Sequence, residues 1–201
     1  MKLKYKGIFK EYDQLPLGEL PPNAVKFNEP DSLIKLNIVA LIFLIPAFFF
    51  VAIIMVFSIL LHGELALSGA NYAGLIGIGL AFLTILPHEL LHAVGFGKDA
   101  EVEMYVSLKL MSAFVVSTHP ITKLRFIMLS LLPNMLFGWF PLMIWAIIPY
   151  YGLLSDVLFY FSLFGILVGV GDYLNVYNAT RQMPKGSMQQ LSGFNSYWFM
   201  P

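Results

Sequence analysis

The stretch ILPHELLHAV, residues 85–94, sits inside an almost wholly apolar segment, YAGLIGIGLAFLTILPHELLHAVGF (72–96), long enough to cross a bilayer. An ionisable residue within such a span costs about 2.5 kcal/mol or more to insert, so by default it marks a function. His88 and His92 are four residues apart and therefore share one face of a helix, a turn from one another. That spacing lets two imidazoles bind one zinc ion (Zn2+), and Glu89, next to the first of them, is placed to act as a general base. Zinc lowers the pKa of a coordinated water and polarises a carbonyl, while the glutamate takes and returns the proton.

Composition agrees with a membrane setting. Of the 201 residues 58% are hydrophobic and only 12% charged, about half the charged fraction of an ordinary soluble domain. Cysteine is absent, so a metal must be held by nitrogen and oxygen, and no disulfide framework exists. The formal net charge of zero argues against a nucleic-acid surface, which needs clustered basic residues.

Four segments reach the length of a span: 36–61, 72–96, 126–151 and one from about 153 through GDYLN (171–175). The fold class expected is therefore an all-α membrane protein of about four transmembrane helices, with a short β-hairpin-like insert at 101–118 between the second and third. All twelve Lys and Arg fall before span one, between spans two and three, or after span four. The positive-inside rule then places both termini in the cytoplasm. Three regions follow: a cytoplasmic N-terminal segment (1–35), a four-span metallopeptidase domain (36–178) and a cytoplasmic or interfacial tail (179–201). The proline-bearing stretch 7–31 reads as an extended lead-in rather than a domain, and the aromatic end of the tail as an interfacial anchor.

A catalytic zinc needs a third protein ligand. Asp172 in span four lies at a depth similar to that of the histidine pair, because spans two and four run in the same direction. Glu101, Glu103 and His119 are weaker candidates beyond the helix, and His62 is on the other side of the membrane. Asp156, near the external end of span four, reads as an interfacial charge. Gly95 reads as a close-packing or helix-end residue. Asn134 and Asn175 either orient a ligand or substrate carbonyl or serve as interhelical glue.

HELLH in a span, a strand-like insert, LLPN (131–134) and then GDYLN resemble a bacterial family of zincin peptidases catalogued as a domain of unknown function. LPPNAVKF (20–27) and PKGS (184–187) extend the likeness over most of the chain. The plan is similar to that of site-2 proteases, although GDYLN departs from the aspartate-then-glycine pattern of that group. The resemblance implies zinc ligands at His88, His92 and Asp172, a catalytic Glu89, and a location in the bacterial plasma membrane. It also implies that the insert at 101–118 guides an extended substrate by strand addition. The expected function is an integral membrane zinc metallopeptidase acting on a membrane-protein or peptide substrate within or beside the lipid bilayer. The alternative is an inactive relative that keeps the fold as a membrane binding or scaffold protein.

Overall fold

The computed structural model describes residues 1–65, 67, 71–109 and 112–201. Parts of the link at 62–71 and the turn of the insert at 110–111 lie outside the described residues.

Prolines set the form of the long apolar helices. Helix α1 (Leu33–Ala40), capped by the Ser32 side chain accepting from the Lys35 amide, passes through a 3₁₀ turn at Leu41–Phe43 into α2 (Leu44–His62). Pro46 lies four residues after Ile42 and removes the donor that this carbonyl would use. Gly63 ends α2 with φ +82°, a left-handed conformation that glycine adopts without penalty. In the second segment α3 (Asn71–Leu83) stops four residues before Pro87, and α4 (Ile85–Gly95) resumes after Thr84. The proline ring clashes with the carbonyl at position i−4, here Leu83, which accounts for the break. The third segment runs through α5 (Lys123–Asn134), a π-helical turn at Met135–Trp139 and α6 (Phe140–Ile147). Two prolines, Pro133 and Pro141, flank the π turn.

Three of these stretches, Leu33–His62, Tyr72–Gly95 and Lys123–Ile147, are long and apolar enough to span a membrane. The fourth is a bent pair, α7 (Leu153–Val168) and α8 (Val170–Gln182), with 47° between them. Large apolar side chains stand fully outward on these helices, Leu60 80% and Leu75 75% exposed among them. Such surfaces suit hydrocarbon rather than water. Backbones approach closely where glycine allows: a Cβ at Gly77 of α3 would lie 2.7 Å from the Val157 carbonyl of α7.

The fold is not all-α. A little over half of the residues are helical, and two sheets cover one end of the helices. Strands β1 (Lys2–Ile8), β3 (Glu101–Ser107) and β4 (Ser112–Val116) form one sheet in the order β1-β3-β4, with β1 parallel to β3. The other is antiparallel, in the order β2-β7-β6-β5, from β2 (Val25–Lys26), β5 (Ile121–Thr122), β6 (Met188–Ser192) and β7 (Asn195–Phe199). The insert is a hairpin as expected, but two expectations give way. The N-terminal segment is extended yet no mere lead-in: β1 pairs with the insert and β2 with the tail. The aromatic tail likewise is a strand pair whose Trp198 packs on the core beneath α4, α5 and α8. In both cases the partners are remote in sequence, so local pattern could not reveal the pairing. Leu15, Tyr105 and Val116, with Leu191 and Phe194 against them, join the two sheets.

Candidate metal centre

Thr84 restarts the helix, and α4 then carries His88, Glu89 and His92 towards the interior; both histidines are buried. Asp172 enters from the first turn of α8, where the positive end of the helix favours a carboxylate. The bend that brings it there is at Gly169, whose carbonyl accepts from the Asp172 amide at 3.0 Å. A side chain at 169 would collide with the Asn134 amide, so glycine serves that close approach.

His88 Nε2 lies 3.1 Å from Asp172 Oδ2 and His92 Nε2 3.2 Å from Asp172 Oδ1. One ligand atom from each of the three lies within 4.8 Å of the others, a group able to hold a metal ion. Two imidazole nitrogens and a carboxylate oxygen are a donor set that zinc accepts. Metal–ligand bonds of about 2.0–2.1 Å in tetrahedral array separate the donor atoms by roughly 3.3 Å, close to the two histidine–carboxylate distances. The residues present therefore fit the ion.

The surroundings orient these groups. His92 Nδ1 donates to the Leu129 carbonyl at 2.9 Å, which directs its Nε2 to the centre. Asn134 Nδ2 donates to Asp172 Oδ2 at 2.8 Å and to the Ser130 carbonyl at 3.3 Å. This bond joins α5 to α8 and holds the carboxylate that faces both histidines. Asn175 lines the cavity beside Asp172. Glu89 and Val115 of β4 line the same cavity.

Two cavities meet here and share Glu89, Gly171 and Asp172. The larger, about 220 Å³, lies on the His92 side between Phe96, Phe114 and Phe126. The smaller, about 130 Å³, lies on the His88 side beside Asn37 and Ser112. The Ser130 hydroxyl, also lining the larger cavity, is buried with no hydrogen-bond partner. Ser130, Asn37 and the Leu129 carbonyl gave no signal in the sequence, since serine, asparagine and leucine are unexceptional there.

The remaining candidates are elsewhere. Glu101 and Glu103 face β1, paired with Lys4 at 2.9 Å and Lys6 at 3.2 Å. His119 is exposed in a loop, and His62 Nε2 lies 3.2 Å from the Ala146 carbonyl. Gly95 is a close-packing residue as expected, since a Cβ there would meet the Leu129 side chain at 2.6 Å. Asp156 is a correction: it is not an interfacial charge but fully buried at the start of α7. Helix–helix packing over that end encloses it, which its sequence position alone does not reveal.

A family model described as "putative zincin peptidase" matches residues 81–188, a little over half of the chain. The chain belongs to that family. The matched region takes in α4 with both histidines, β3 and β4, α5 with Asn134, and α8 with Asp172. No curated protein and no solved structure matches the chain.

Proposed function

We propose that the protein is an integral membrane zinc metallopeptidase, cleaving a peptide bond within or beside the bilayer near its cytoplasmic face. The observation that carries this is the convergence of His88, His92 and Asp172 from two apolar helical segments, with Glu89 beside them and outside the ligand set. When bound, zinc supplies Lewis acidity to the scissile carbonyl and acidity to a water. The chain's own residues do the rest. Glu89 takes a proton from the attacking water on its carboxylate and returns it to the departing amine nitrogen. Leu129 and Asn134 hold the imidazole and carboxylate in place, so that no reorientation is needed during the reaction.

An extended substrate has a natural path. Strand β4 is the outer strand of its sheet among the described residues, and its Val115 lines the same cavity as Glu89. A peptide added along that edge would pass the general base. The aromatic walls of the larger cavity suit an apolar side chain of such a peptide. The one-sided Lys and Arg distribution supports a cytoplasmic location for both sheets and both termini.

The test combines metal content with hydrolysis in purified protein. Glu89→Gln should keep zinc and lose cleavage of a membrane peptide, because it removes the base and no ligand. Asp172→Ala should lose the metal. Asp156→Ala, at a buried aspartate remote from the ligand set, should lower stability but keep zinc in the folded fraction. Full zinc occupancy in Asp172→Ala, or wild-type hydrolysis by Glu89→Gln, would overturn the reading. A wild-type chain that takes up no metal would favour a scaffold role.

A further inference from the structure

We infer that Pro133 is a positioning residue for the metal centre, acting through a backbone carbonyl. In an α-helix the carbonyl of residue i accepts from the amide of residue i+4. For Leu129 that amide belongs to residue 133, which is proline and has no N–H. In hydrocarbon a carbonyl released in this way must find another donor. The Leu129 carbonyl finds His92 Nδ1 on the facing helix, at 2.9 Å. The close approach of α4 to α5 at Gly95 and Leu129 brings the two together. The proline in the middle of α5 thus creates an acceptor where the ring of a candidate zinc ligand needs one. Its neighbour Asn134 holds the carboxylate of a second ligand, Asp172. The adjacent pair Pro133-Asn134 therefore orients two of the three ligands from a helix that contributes none.

This inference rests on the metal-centre reading, and its test separates the two. Pro133→Ala and Pro133→Gly both restore an amide at 133, which competes with His92 for the Leu129 carbonyl. Loss of an outer hydrogen bond to a ligating histidine lowers metal affinity by about 10–100-fold. Both variants should show a loss of that size in zinc affinity, measured by chelator competition on the full-length protein in detergent. The metal-free melting temperature should not fall in Pro133→Ala, because alanine is far better tolerated than proline in a helix interior. Pro141→Ala, the removal of another buried helix proline away from the triad, should leave zinc affinity unchanged. Wild-type affinity in both Pro133 variants would overturn the inference while leaving the zinc site intact. Equal losses in Pro141→Ala, or an affinity loss matched by a fall in metal-free stability, would also overturn it by showing general loosening. A wild-type chain without zinc affinity would instead remove the metal-centre reading itself.

Discussion

Asn134 is fully buried at the end of α5, with one amide hydrogen-bond donor set towards Asp172 and its Oδ1 atom lacking a partner. Only the donor side of this amide meets Asp172. Asn134→Leu keeps the approximate volume, removes the donor and removes the unpaired acceptor. The expected result is a loss of zinc affinity of about tenfold or more, with a smaller loss of metal-free stability, because the buried Asp172 Oδ2 gives up one donor but keeps His88 Nε2 at 3.1 Å. Chelator competition and thermal melting on the same samples would measure both. His88, Glu89 and His92 were legible from spacing alone, because a helix converts a four-residue interval into a shared face. The role of Asn134 was open in the sequence, since a polar residue in a span hydrogen-bonds either a ligand or another helix.

Among the elements, the short β2 and the residues after it show how a tail strand is held. Phe27 donates its amide to the Ser196 carbonyl at 2.9 Å, and Glu29 Oε1 accepts from the Ser196 amide at 2.7 Å. Burial raises the Glu29 carboxyl above its ordinary value of 4.5, partly opposed by the hydrogen bond from Ser196. A group whose folded-state pKa is raised contributes stability that is present at low pH and lost as pH rises through the folded value. Glu29→Gln keeps an oxygen acceptor without a charge to desolvate. The variant should therefore melt higher than the wild type at pH 8. Its advantage should shrink as pH falls and vanish below about 4.5, where the wild-type carboxyl is protonated in both states. A melting difference that does not change with pH would remove the burial argument. None of this was visible in residues 7–31, where four prolines suggested only an extended chain.

For the whole molecule, the testable statement is orientation. Every Lys and Arg falls on one side of a four-span chain, and β1 uses three of those lysines against Glu101 and Glu103. Reporter fusions after residue 110 and at the C-terminus should read as cytoplasmic, and one at residue 67 as external. An external signal at 110 would move both the sheets and the metal centre to the other face.

The sequence by itself determined the apolar helices long enough to span a membrane, their approximate limits, the hairpin insert and the histidine pair with its glutamate. These follow from composition and from intervals of a few residues, which helix and strand geometry translate directly into faces and lengths. Tertiary structure alone decided that the N-terminal segment and the tail are strands of two sheets, because each takes its hydrogen bonds from partners far along the chain. It also decided that Asp156 is enclosed while Asp172, sixteen residues later, meets the histidines. Both are aspartates in one apolar segment, and only the bend at Gly169 and the packing of α5 against α8 distinguish them. The Leu129 carbonyl belongs to the same class: a missing amide in one helix matters only because another helix brings a histidine to within 2.9 Å of it.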